Sequence, residues 1–189
     1  MSKDAPRIEF ANRAAVRAWL QENHASSGSV WAITFKKHHP NYLPFGEVVE
    51  ELICWGWIDS SVRGVDDDRM MHLISPRKEA SAWSAVNKDI VARMRALGQM
   101  TEAGEAKIAA AEANGMWVFL DDVERLERPL DLDAALGGMV DGWEAYPRSV
   151  KRGTLEWIKL AKTEPTRAKR IADVVRSLEA GLRPSPFRR

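Results

Sequence analysis

The chain has 189 residues, 45% of them apolar, a net charge of +1 and one cysteine, Cys54. That length suits one domain with an appendage or two small subdomains; a single cysteine excludes an internal disulfide, and no window approaches the roughly 18 apolar residues of a membrane helix. Residues 1–7 lack the apolar run of a signal peptide, so a soluble protein of the reducing cytoplasm is expected.

Along the chain, Asn12 can cap a helix whose apolar positions Val16, Trp19 and Leu20 share a face, ending near His24. Residues 30–36 read as a strand, with Trp31, Ile33 and Phe35 on one side and Ala32 and Thr34 on the other. Pro40 keeps His39 out of helical geometry, which makes 38–41 a loop. A helix over 46–55 buries Val48, Val49, Leu52 and Ile53, leaves Glu47, Glu50 and Glu51 on its wet side, and stops at Gly56. Strands over 57–63 and 69–75 follow, joined by a hairpin loop at 64–68 whose three aspartates suit a solvated turn.

Beyond Pro76 the pattern turns helical. Ser81 or Ser84 caps a helix carrying Val86, Ile90, Met94 and Leu97, and Thr101 caps an alanine-rich one closed by Asn114-Gly115. Pro129 opens a short helix that Gly137-Gly138 breaks. Two amphipathic helices end the chain, with stripes Val150, Thr154, Trp157, Ile158, Ala161 and Ala168, Ile171, Ala172, Val175, Leu178; residues 183–189 read as a frayed tail. The expected fold is α+β: a small N-terminal sheet of about three strands packed with helices, then an all-helical part. Its divisions fall at 1–78, 79–182 sharing the core, and 183–189.

Chemistry-bearing motifs are sparse. The histidines His24, His38, His39 and His72 show no ligand spacing, so no metal is expected, and no phosphate or dinucleotide loop implies a cofactor. Cys54 follows an apolar stripe at a helix C-terminus, where the dipole disfavours a thiolate. The tryptophans number eight. A tryptophan serves either as a core block, the commoner case, or as the floor of a binding groove. In an extended segment Trp57, Asp59, Ser61 and Arg63 share one side, and Arg77-Lys78 precede a helix start whose first turns hold Trp83 and Asn87. Cations beside a helix N-terminus suit an anion. The candidate ligand-binding set is therefore Trp57, Asp59, Arg77, Lys78, Trp83 and Asn87, set against plain structural packing of the same residues.

Charge is uneven as well. Residues 148–189 hold twelve Lys/Arg against four Asp/Glu. This fits two subdomains that attract each other, or a nucleic-acid partner met by Lys159, Lys162, Arg167, Lys169 and Arg170.

Cys54-Trp55-Gly56-Trp57-Ile58-Asp59-Ser60, Pro76-Arg77-Lys78, Ser81-x-Trp83-Ser84-x-x-Asn87, Gly98-x-Met100-Thr101-x-x-Gly104, Gly115-x-Trp117 and Thr166-Arg167-x-x-Arg170-Ile171 occur in this order. Together they resemble the bacterial YdeI/OmpD-associated family, also labelled bacteriocin-protection proteins, over nearly the whole chain. Trp55 stands where that pattern has phenylalanine, and 118–121 departs from its small-aromatic run. The resemblance implies a part in bacteriocin or stress tolerance and no reaction, cofactor or catalytic residue. The expected role is thus non-enzymatic binding of an anionic small molecule or a protein partner. The alternatives are nucleic-acid binding through the basic helices, or an enzyme using Asp59 as general acid or base near Arg77.

Overall fold

Capping residues and glycines set most of the element boundaries. The computed structural model describes residues 4–188, and the chain divides into two compact units, one ending at Phe119 and one beginning at Leu120. The first contains β1 (Arg7–Glu9), α1 (Arg13–Asn23), β2 (Val30–Phe35), α2 (Phe45–Cys54), β3 (Trp57–Gly64), β4 (Arg69–Pro76), α3 (Ala85–Ala96) and α4 (Glu102–Ala113). The α+β class read from the sequence is what the structure shows. The first unit runs through α3 and α4 because they bury Ile90, Val91, Met94, Ile108 and Ala111 against Ile53 and Cys54 of α2.

Among the described residues the sheet has four strands in the order β1-β2-β4-β3, with β1 parallel to β2 and the other pairs antiparallel. Strand β1 escaped sequence reasoning because three residues cannot display an alternation. One sheet face meets α1 and α2 through Val16, Leu20, Val30, Val48, Leu52, Trp57 and Ile74. The other carries a smaller cluster of Trp31, Ile33 and Met71. Both sides of β2 are therefore buried, which explains its nearly unbroken apolar sequence.

Two corrections concern helices. Ser84, not Ser81, caps α3, through a reciprocal box with Asn87, and the buried line of α3 is Ile90, Val91 and Met94 while Val86 and Leu97 stand in solvent. Glu51 is 1% exposed rather than on a wet face. It accepts Arg13 Nε at 2.7 Å and Arg17 Nη1 at 2.9 Å, so arginines of α1 neutralise it inside the packing.

Close approach explains several motif residues. Thr101 caps α4 and also donates its hydroxyl to the Cys54 carbonyl at 2.6 Å, bringing the start of α4 onto the end of α2. A Cβ on Gly104 would lie 2.3 Å from the Cys54 oxygen, so only glycine fits there. Gly56, with φ +70, turns the chain from α2 into β3 beneath the same helix.

The second unit contains α5 (Asp121–Glu124), α6 (Leu130–Leu136), a 3-10 turn at Gly137–Met139, α7 (Val140–Glu144), α8 (Arg148–Lys159), α9 (Glu164–Glu179) and a final 3-10 turn at Ser185–Phe187. In α8 and α9 the buried lines run through Val150, Thr154, Leu155, Ile158 and Ile171, Val174, Ser177, slightly rotated from the expected stripes. The tail is not frayed over its described residues. Asp173 accepts the Ser185 backbone N–H at 2.8 Å and hydroxyl at 2.6 Å, and Phe187 packs where Gly153 leaves room on α8. Among the described residues no helix is long and apolar enough to cross a membrane.

Candidate functional site

Strand β3 is irregular where the candidate residues sit. Asp59 pairs with Ile74, but the next matched pair is Val62 with His72, so one extra residue is accommodated as a bulge. The bulge breaks the row expected from alternation. Trp57 and Asp59 stay on the side of Ile74, whereas Arg63 crosses to the other side and lays its guanidinium 4.7 Å from the centre of the Trp31 ring.

Arg77 occupies the end of β4. Pro76 has no N–H to continue the ladder, and the Arg77 N–H closes it on the Gly56 carbonyl at 2.9 Å. The side chain then folds beneath the connector to α3 and is 2% exposed. Nη2 donates to the Ala82 carbonyl at 2.7 Å, and the guanidinium carbon stands 3.7 Å from the Trp83 ring centre. Stacking a desolvated guanidinium on tryptophan contributes about 2 kcal/mol. Nε and Nη1 have no hydrogen-bond partner among the described residues. Burial pushes the guanidinium pKa down to about 10, against the opposing charge of Asp59, so the group stays a cation at neutral pH.

Asp59 also acts on His72. That imidazole is 8% exposed, stacked on Phe45 at 3.4 Å between ring centres, and its Nδ1 has no partner among the described residues. Burial lowers its pKa, and the Asp59 charge opposes the shift. Asp59, His72 and Arg77 thus form one electrostatic group with three unfilled donor or acceptor positions.

The other candidates separate from it. Trp57 is a core block, edge-on to Trp19 at 5.4 Å, and its indole N–H is spent on the His24 carbonyl at 3.2 Å. Asn87 is engaged in the Ser84 cap, with its N–H donating to Ser84 Oγ at 3.3 Å. Lys78 points into solvent, while Trp83 is buried against Trp117 at 5.2 Å. Only Asp59, Arg77 and Trp83 belong together, with His72 added. No sequence signal marked His72, because its place near Asp59 depends on the cross-strand register of β3 and β4, which only the folded sheet sets.

A family model described as a domain of unknown function, DUF8412, matches residues 8–107, more than half of the chain. The chain belongs to that family. A second model, described as bacteriocin-protection, YdeI or OmpD-associated, matches residues 125–181. The resemblance to the YdeI/OmpD-associated proteins is therefore shown, and the helical unit carries it. The motifs at 54–60, 76–78 and 98–104 fall instead within the DUF8412 match, where they form the α2–α4 junction and the Arg77 cluster. No curated protein and no solved structure matches the chain.

Two further groups bear on chemistry. Cys54 is fully buried, and its thiol is pushed up to about 11 by burial and then by the Glu51 charge, with Arg17 and Arg13 opposing. In the helical unit, Lys159 holds both oxygens of Asp122 at 2.6 Å and Arg167 holds Asp131 at 2.6 and 2.8 Å. Two of the five cations assigned to a nucleic-acid surface are thus paired within their own unit. Ion pairs that the fold already makes are not available to phosphates without cost.

Proposed function

We propose that the DUF8412 unit is a non-enzymatic, cytoplasmic binding module that takes up a small anion at Arg77, in support of the tolerance role that the YdeI/OmpD-associated description names. The observation that carries this reading is the pair of unpartnered nitrogens, Nε and Nη1, on a guanidinium only 2% exposed. An unpaired buried cation costs several kcal/mol after relaxation. One carbonyl bond and one ring contact do not fill five donors. A carboxylate or phosphate group reaching the guanidinium beside Trp83 would satisfy them, while Asp59 would select a ligand that also carries a donor. Entry is by displacement of the irregular connector at 77–84, whose residues 78–80 are exposed.

Thermal melting of the wild type and of Arg77→Met, with phosphate, acetate, citrate and sulfate each titrated, tests the proposal. At least one anion should raise the wild-type midpoint by several degrees at about 100 Kd, a stabilisation of about 2.7 kcal/mol. The methionine variant should lose that response while remaining folded. A wild type indifferent to every anion, or a variant that responds equally, would sink the idea.

A further inference from the structure

The C-terminal helical unit has a concave basic surface that the Arg77 reading does not use. Thr166, Lys169, Arg170 and Arg176 fall on one side of α9, and with Trp157 of α8 and Ser185 of the tail they line a depression of about 380 Å³. That volume lies in the range of small-ligand sites. None of Lys169, Arg170 and Arg176 has a carboxylate within ion-pair distance among the described residues. The one acid lining the depression, Asp173, is hydrogen-bonded to the Ser185 N–H and hydroxyl and paired with Arg188 at 3.5 Å, and it acts on Arg176 only by charge at longer range. Arg170 donates to the Trp157 carbonyl and its guanidinium stands over that indole at 5.2 Å from the ring centre, so a guanidinium and an indole line the depression together beside the two remaining cations.

We infer that this depression is a binding site for a phosphorylated small molecule bearing a planar ring, of nucleotide size. Lys169 and Arg176 hold the phosphate oxygens, with the hydroxyls of Thr166 and Ser185 as added donors. The ring stacks at Trp157 and Arg170, because an indole and a guanidinium plane both accept any aromatic base. The layout disfavours an extended polynucleotide. Neighbouring cations Lys151, Arg152, Lys159 and Arg167 are bound to acids of the same unit, which leaves fewer charges for a long phosphate backbone. On another side of α9 the wall carries Glu164 and Glu179, which would repel a passing strand.

Fluorescence anisotropy of N-methylanthraniloyl-ADP with the full chain tests this, with inorganic pyrophosphate and an oligothymidylate of about twenty nucleotides as competitors. Saturable binding at one site per chain is expected, displaced by pyrophosphate and weakened by salt. Lys169→Glu combined with Arg176→Glu, both at exposed positions, should weaken it about tenfold or more at an unchanged melting temperature. Trp157→Leu should reduce affinity for the nucleotide and spare pyrophosphate. Arg77→Met should change nothing, which separates this site from the anion site of the other unit. No saturable binding up to about 1 mM nucleotide would overturn the inference. So would an equal loss on Lys162→Glu, outside the depression, or oligothymidylate binding that tightens with length and outcompetes the nucleotide.

Discussion

Replacing Gly104 by alanine probes the joint that holds the first unit together. In an ordinary helix interior this change stabilises by about 1 kcal/mol, since glycine has the greater freedom to lose. Here the new Cβ would stand 2.3 Å from the Cys54 oxygen, 2.8 Å from its carbon and 2.9 Å from the Ile53 oxygen. These are backbone atoms at the end of α2, so no rotamer change relieves the clash. The start of α4 must retreat, and that retreat stretches the Thr101 hydroxyl bond to the Cys54 carbonyl. Overpacking of this kind costs about 1–3 kcal/mol, occasionally more, and the lost hydrogen bond about 1 kcal/mol further. After the helix-propensity gain the net destabilisation is about 1–3 kcal/mol, or roughly 3–10 °C in melting temperature. Urea denaturation of Gly104→Ala beside Gly46→Ala supplies the measurement, because a Cβ at Gly46 meets nothing within 4 Å. The reasoning fails if Gly104→Ala is as stable as the wild type or more so.

Two other outcomes follow from the titrating groups. Cys54, with its thiol near 11, should not react with a thiol-specific disulfide reagent at pH 7 while folded, and should react at once in denaturant; native reactivity at neutral pH would mean that the burial is wrong. At Asp173 burial acts to raise the pKa, but Ser185, Arg188 and Arg176 outweigh it, so the folded value lies below the ordinary 3.8. A depressed carboxylate stabilises the fold above its unfolded pKa and loses that contribution as pH falls through the folded one. Asp173→Asn should therefore expose the tail to carboxypeptidase at pH 7, with the wild type approaching the same susceptibility only below about pH 4; equal digestion of both proteins at pH 7 would contradict the tail contacts.

Much of the architecture was legible in local pattern. The apolar line of α2, the alternation of the sheet segments and the caps Asn12 and Thr101 are properties of neighbouring residues, and the sequence pattern displays them directly. The α+β class and the YdeI/OmpD-associated likeness of the helical end belong to the same level. Arg77 and Trp83 could be suspected because a cation and an aromatic flank a helix start.

Contacts between residues distant in the chain decided the rest. A bulge moves Arg63 to the other side of the sheet, since one extra residue reverses every following side chain. Glu51 is buried because Arg13 and Arg17, more than thirty residues earlier, neutralise it. The tail is ordered because Asp173 offers a carboxylate to Ser185. Arg77 is both enclosed and unsatisfied, a combination that exists only once Trp83, Ala82 and Asp59 surround it. Charge and hydrogen-bond demand act through space, so residue order names the groups while the packed chain sets which demands remain unmet.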